Sequence, residues 1–214
     1  MKHSEARKIC FITGTRAEYG LLSGLIKKVE KNKSSKLDLI VTGTHLSSEY
    51  GKTIDFIYKD KVKISRKIDI SLNKNSRLGV SKSLSIAIEK ISRNLNNLKP
   101  DLLVLLGDRY ETFAAAVSAT ILNIPIAHIH GGETTQGAFD ESFRHSITKM
   151  SHFHFCSTNA YKKRIIQLGE NPKNVFCVGA LGIDNISSNK FLNLKQLQRE
   201  FSLPFSKKNI FITF

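Results

Sequence analysis

Residues 102–121 read LLVLLGDRYETFAAAVSATI. Leu102–Leu106 is a short apolar run of strand length, Gly107-Asp108-Arg109 breaks it with a polar turn, and Ala114, Ala115, Ala116, Val117, Ala119 and Ile121 follow as a small-residue helix able to approach a sheet closely. A strand, a turn and a covering helix make the repeating unit of a parallel sheet. The same alternation extends in both directions. Ile9–Thr13, Leu37–Thr42, Val62–Ile70, Ile124–Ile129, Phe153–Ser157 and Val175–Val178 are further apolar runs, giving seven expected strands. Lysines and Arg66 alternate with apolar residues in Val62–Ile70, which marks it as a half-exposed or edge strand. Helical stripes lie between the runs, at Leu21–Glu30, at Leu84, Ile88, Ile91 and Leu95, at Asp140–Met150 and at Tyr161–Leu168. The expected fold is α/β, a Rossmann-like doubly wound parallel sheet.

Composition agrees with an ordinary globular protein. The chain has 214 residues, 41% hydrophobic and 24% charged. No apolar run approaches the ~20 residues of a membrane span, and the start MKHSEARKICF lacks a signal-peptide core. Cys10, Cys156 and Cys177 are odd in number and scattered, as expected of reduced thiols in a cytoplasm. The net charge of +15 raises the question of a nucleic-acid partner. Residues 1–100 carry +12, 101–151 carry −3 and 152–214 carry +6. Many of the lysines fall in polar loops or on helix faces, no zinc-finger or RNA-binding motif is present, and the acidic middle is where the polar turns gather. A solvated lysine-rich surface without nucleic acid or membrane as partner is the expectation.

Doubly wound sheets bind ligands at the carboxyl ends of their strands, beside the switch in strand order. The residues that follow the strands are therefore the ones to examine. They are Gly14-Thr15-Arg16-Ala17-Glu18, Gly43-Thr44-His45, Gly107-Asp108-Arg109 and His130-Gly131-Gly132-Glu133. Glycines there allow close backbone approach, and helix N-termini offer N–H groups to an anion. Neither GxGxxG nor GxxxxGK[ST] occurs, which disfavours nicotinamide and P-loop nucleotides.

Asp108 sits at a strand tip. Asp140 and Glu141 open a helix, where a carboxylate also serves as a cap. Arg144 lies one turn beyond Asp140 and is expected either to pair with it or to meet a ligand. Arg16, in a glycine-flanked strand-to-helix turn, suits a phosphate or carboxylate clamp. His128 and His130 fall on one face of a strand, as do His152 and His154, but further ligands at diagnostic spacing are missing, so no metal is expected. His128 reads as a hydrogen-bonded core histidine, and Cys156 and Cys177 as small buried hydrophobes.

GTRAEYG, VTGTHLSSEYG, LLGDRYETFAAA, IPIAHIHGGE, GAFDESFRHSITKMSHFHF and VGALGIDNI, in that order from about residue 7 to the end, resemble the N-terminal half of the hydrolysing UDP-N-acetylglucosamine 2-epimerases. The resemblance implies two Rossmann-like domains in a glycosyltransferase-B arrangement, a cleft active site, and elimination of UDP to a glycal followed by hydration, with neither cofactor nor metal. It implies catalytic roles for Asp108, Asp140, His130 and Glu133 and substrate contacts from Arg16, His45, Arg109, Arg144 and His145. His130 stands where many members carry a glutamate, and HIHGGET resembles the branch acting on UDP-diacetamido-trideoxy sugars of legionaminic acid synthesis. Sialic acid synthesis, a cytoplasmic location and a homodimer complete the implied picture. Residues 1–185 are expected to form the N-terminal domain and 186–208 a connecting helix and linker broken at Leu203-Pro204. Residues 209–214 then read as the first strand of a UDP-binding domain that the sequence does not contain, so that the chain alone is expected to turn over little. A non-catalytic nucleotide-sugar binding half-domain and a glycosyltransferase of the same architecture are the alternatives.

Overall fold

The computed structural model describes residues 6–72, 76–135, 137, 140–188, 191–202, 208–210 and 212. Seven strands form one sheet: β1 Arg7–Thr13, β2 Ser35–Thr42, β3 Arg66–Ile68, β4 Leu102–Leu106, β5 Ile126–Ile129, β6 Phe153–Cys156 and β7 Val175–Cys177. Their order is β3-β2-β1-β4-β5-β6-β7, and every pairing is parallel. Phe11 of β1 faces Leu39 on one side and Val104 on the other, so the reversal of winding falls between β1 and β4.

Eight helices are described: α1 Arg16–Lys31, α2 Ile54–Lys59, α3 Arg77–Leu98, α4 Tyr110–Ile121, α5 Asp140–Met150, α6 Asn159–Gln167, α7 Leu181–Ser188 and α8 Leu194–Phe201. Helix α1 starts where it does because Thr15 and Glu18 form a capping box. It buries Leu22 and Ile26 in one core layer together with Phe11, Leu39, Ile57 and Val104. The other layer holds Ile12, Ile40, Ile91, Leu103, Leu105 and Ile126 against α3 and α4. Ala114, Ala115, Ala116 and Ala119 are wholly buried. Their small side chains let α4 pack closely on the sheet and beside α3, where Ser92 Oγ donates to Ser118 Oγ at 2.9 Å. Full burial of a Leu or Ile such as Leu103 contributes about 1.5–3 kcal/mol.

Six of the expected strands keep their places to within two residues. The third is shorter than Val62–Ile70: only Arg66–Ile68 pairs, at the sheet edge beside β2, because Val62 and Ile70 are buried in the flanking segments without a ladder. Helices α2 and α7 carry too few apolar repeats to stand out in the sequence. His130 is not in β5 with His128; it leaves the strand with φ +64°. His152 precedes β6, so the second His pair does not share a strand either. Gln136, Ala138 and Phe139 of the loop before α5, the Leu203-Pro204 break, and residues 211, 213 and 214 of the run 209–214 lie outside the described residues.

Candidate active site

The carboxyl ends of β1, β2, β4 and β5 form one rim around the switch point. The turns approach closely enough that a Cβ on Gly43 (φ +60°) would sit 2.7 Å from the Gly14 carbonyl oxygen. Gly107, at φ +81°, turns the chain out of β4 so that Asp108 and Arg109 follow above the sheet.

On one side of the switch, Arg109 is held between two carboxylates. Its Nη2 donates to Glu111 Oε1 at 3.1 Å, and its Nε lies 3.7 Å from Glu18 Oε1. Glu111 and Glu18 are almost fully buried, with side chains 2% and 10% exposed, whereas Arg109 keeps a third of its side chain open to solvent. Glu18 Oε2 accepts from the backbone N–H groups of Gly14, at 2.7 Å, and Thr15, at 3.1 Å. The anion seat expected at the start of α1 is thereby filled by the chain's own carboxylate. Burial pushes Glu18 up to about 7; the Gly14 and Thr15 N–H groups and Arg109 hold it down and Glu111 pushes it further up. Burial would lower Arg109, but Glu111 and Glu18 outweigh it and the guanidinium is held more firmly charged than usual.

On the other side, Arg144 is the buried partner. Its Nη2 pairs with Asp108 Oδ2 and reaches Thr135 Oγ1 at 3.1 Å, while Nη1 donates to the His130 carbonyl at 2.9 Å and lies 3.7 Å from Glu133 Oε2. The Arg144 side chain is only 9% exposed, and those of Asp108 and Glu133 are 17% and 22% exposed. His130 Nδ1 meets Glu133 Oε1 at 3.0 Å, and Ser157 Oγ donates to that same oxygen at 2.9 Å. Burial pushes the Glu133 carboxyl up, but the His130 and Ser157 hydrogen bonds with the charges of His130 and Arg144 outweigh it and hold it below its usual range. His130 Nε2 has no hydrogen-bond partner. Asp140, at the start of α5, is raised first by burial and then by Asp108 and Glu111, against Arg109 and Arg144. Asp140 thus stands in the field of both clusters.

The structure therefore brings Asp108, Asp140, His130, Glu133 and Arg109 to one rim. It employs Arg144 differently from the sequence expectation: the guanidinium turns to Asp108 rather than to Asp140, and both terminal nitrogens are engaged inside the protein while Nε is buried without a partner. His45 is wholly buried, with Nε2 3.2 Å from Thr13 Oγ1 and Nδ1 2.9 Å from Thr53 Oγ1. Burial lowers it to about 4, so it is a neutral pillar between β1 and the loop before α2. Arg16 is exposed in the first turn of α1, its guanidinium 4.5 Å from the centre of the Phe56 ring, a contact of about 0.5–1 kcal/mol. His145 is half-buried on α5, with Nε2 3.6 Å from Glu141 and Nδ1 buried without a hydrogen-bond partner. Glu18, Glu111, Thr135 and Ser157 were not singled out in the sequence, although the Thr15-x-x-Glu18 spacing carries the capping signal that places Glu18. Among the described residues no three His, Cys, Asp or Glu side chains are arranged to hold a metal ion, and no helix is long and apolar enough to cross a membrane.

Residues 27–214 match the family model described as UDP-N-acetylglucosamine 2-epimerase. The chain is 44% identical over 208 residues to the GDP/UDP-N,N'-diacetylbacillosamine 2-epimerase (hydrolyzing) of Campylobacter jejuni, which covers 97% of this chain and 54% of that protein. It is 40% identical to the UDP-N,N'-diacetylbacillosamine 2-epimerase (hydrolyzing) of Legionella pneumophila, covering 94% of this chain and 53% of the relative. The crystal structure of the UDP-GlcNAc 2-epimerase of Neisseria meningitidis bound to UDP-GlcNAc superposes with a TM-score of 0.75 at 22% identity, over 84% of this chain and 48% of the other. The fold is thus the α/β, Rossmann-like half of a glycosyltransferase-B-like structure, and the chain spans about half the length of the relatives it matches.

Proposed function

Because the chain belongs to the UDP-N-acetylglucosamine 2-epimerase family, we propose that it carries the catalytic rim of a hydrolysing UDP-HexNAc 2-epimerase. The substrate is UDP-N-acetylglucosamine or its 2,4-diacetamido-trideoxy relative, and the products are UDP and the free 2-epimeric sugar. The observation that carries this reading is the division of charge at the switch point: a partly open guanidinium at Arg109 on one side, and carboxylates with a histidine, Asp108, Asp140, Glu133 and His130, on the other. Such a rim suits a reaction that moves protons at a sugar ring while a diphosphate departs.

In the first half-reaction a base takes the C2 proton, the C1–O bond to UDP breaks with its electron pair leaving on UDP, and a C1=C2 glycal remains. In the second, water adds to C1 and a proton returns to the opposite face of C2. Asp108 and Asp140 are the carboxylates placed to stabilise positive charge at C1 and to exchange protons. His130 offers a buried Nε2, with its other nitrogen oriented by Glu133. Arg109 and Arg16 are the cations this reading assigns to the departing diphosphate. The diacetylated sugars named for the Campylobacter and Legionella relatives, together with His130, favour the legionaminic acid branch over the sialic acid one; a cytoplasmic homodimer is the accompanying assignment.

The reaction run in deuterium oxide tests this, with the chain alone and with the chain joined to the part of the Campylobacter relative that it does not cover. Release of UDP with deuterium at C2 of an inverted sugar is expected of the joined protein, and little release from the chain alone. UDP release with C2 hydrogen and configuration retained would overturn the elimination route. Transfer of the sugar to an acceptor would identify a glycosyltransferase, and binding without release by both proteins a binding half-domain.

A further inference from the structure

Helix α5 carries a second hydrogen-bonding position one turn beyond Arg144. Thr148 Oγ1 lies 3.2 Å from His128 Nδ1, and His128 Nε2 lies 2.8 Å from the Gly107 carbonyl oxygen. Both side chains belong to wholly buried residues, so each polar atom must find its partner inside the protein. Burial pushes His128 down to about 3; the Gly107 hydrogen bond opposes this and the neighbouring His154, Arg144 and His130 add to it, so the ring carries a single proton. A carbonyl oxygen can only accept, which places that proton on Nε2 and leaves Nδ1 as an acceptor. The Thr148 hydroxyl has two acceptors within reach, His128 Nδ1 and the Arg144 carbonyl at 3.0 Å. The carbonyl already lies in the α5 ladder, whereas an unmet buried Nδ1 would carry its full desolvation penalty. The hydroxyl proton therefore goes to His128.

This relay ends on the peptide that delivers Asp108. The Gly107 N–H donates to the Ile129 carbonyl at 3.1 Å, and its C=O accepts from His128, so β5 holds Gly107 through both of its flanking peptides while Arg144 grips the Asp108 carboxylate. Gly131 closes the relay from above: a Cβ there would lie 3.0 Å from both His128 Nδ1 and Thr148 Oγ1. Positions 144 and 148 of one helical face thus hold the side chain of Asp108 and the backbone leading to it.

We propose that His128 and Thr148 are positioning residues for Asp108, fixing through the Gly107 carbonyl the direction in which β4 presents that carboxylate. The proposal rests on the reading of Asp108 as catalytic, and its test separates the two. Long-range proton–nitrogen spectra of the histidines in the chain itself should show His128 as one Nε2–H tautomer, unchanged between pH 5 and 8. Thr148→Val should displace the Asp108 amide and carboxyl resonances and hasten exchange of the Nε2 proton; Thr148→Ser should do neither. Gly131→Ala, which wedges the relay without touching its partners' chemistry, should act as Thr148→Val does. In a preparation shown to turn over UDP-sugar, Thr148→Val should lower kcat by about tenfold to a hundredfold with little change in KM, and Thr148→Ser should restore it. An Nδ1–H tautomer of His128, or Asp108 resonances equally undisturbed in Thr148→Val and Gly131→Ala, overturns the relay whether or not turnover is found. Absent turnover in the chain joined to the part of the Campylobacter relative that it does not cover, with the relay signals intact, counts against the proposed function alone.

Discussion

The two sides of the switch point are built from the same parts and face opposite ways. Each centres on one arginine between two carboxylates: Arg109 with Glu18 and Glu111, Arg144 with Asp108 and Glu133. In the first the carboxylates are buried and the guanidinium is a third exposed. In the second the guanidinium is buried and the carboxylates reach solvent. The same ion triad therefore presents a cation on the β1 side and anions on the β4–β5 side. Burial depth, rather than residue type, decides which charge a ligand meets, because the desolvated member is already committed to its internal partners.

Changing the exposed carboxylate of the second triad should have the largest effect. Asp108→Asn keeps the shape and removes the charge. It should lower turnover by about a thousandfold, or on the order of 4 kcal/mol at the transition state, and lower the thermal transition as well, because the buried Arg144 guanidinium is left with Glu133 as its counter-charge. Steady-state UDP release and a calorimetric scan check both halves, and undiminished release would remove Asp108 from the chemistry.

Removing the arginines breaks the comparison more directly. Arg109→Met leaves the buried Glu18 and Glu111 without their counter-charge and should cost about 3–5 kcal/mol of stability, read by urea unfolding at pH 8, where Glu18 is ionised. Arg144→Met at the same pH should cost clearly less, because the carboxylates it leaves unpaired, Asp108 and Glu133, reach solvent. Equal losses would show that the two triads are not the electrostatic opposites described.

The smallest effect is a pH slope. Glu18 is raised by burial from 4.5 to about 7 in the folded chain. The folded state therefore binds more protons than the unfolded state between those values. The stability linked to Glu18 is fully present below pH 4.5 and lost as pH rises through 7. Glu18→Gln, which cannot ionise, should gain on the parent by about 2–3 kcal/mol between pH 5 and pH 8. Parallel unfolding curves across that range would place the Glu18 proton elsewhere.

The strands were legible because a parallel strand buried on both faces is apolar along nearly its whole length, as Leu102–Leu106 is, and in Leu37–Thr42 only Asp38 and the closing Thr42 interrupt the run. The edge strand was legible in kind, from its alternating lysines, but not in extent, since Val62 and Ile70 are buried by packing that no local pattern announces. Asp108, His130 and Arg109 were legible as a rim because they follow such strands directly. Arg144 was placed on the right helix and given the wrong partner. Helical spacing offers it Asp140 at one turn, while the sheet brings Asp108 to it from 36 positions away. Glu18 and Glu111 were not singled out in the sequence, and only their convergence on Arg109 gives them a part in the site.

The order of elements, the parallel sheet and the location of the polar rim were thus determined by sequence alone, because they depend on hydrophobic periodicity and on which residues end each run. The tertiary structure alone decided which charges pair, which stay buried, and which of two arginines faces outward. Those outcomes depend on distances between chain segments dozens of residues apart and on the cost of desolvating each group, and neither is written in local sequence.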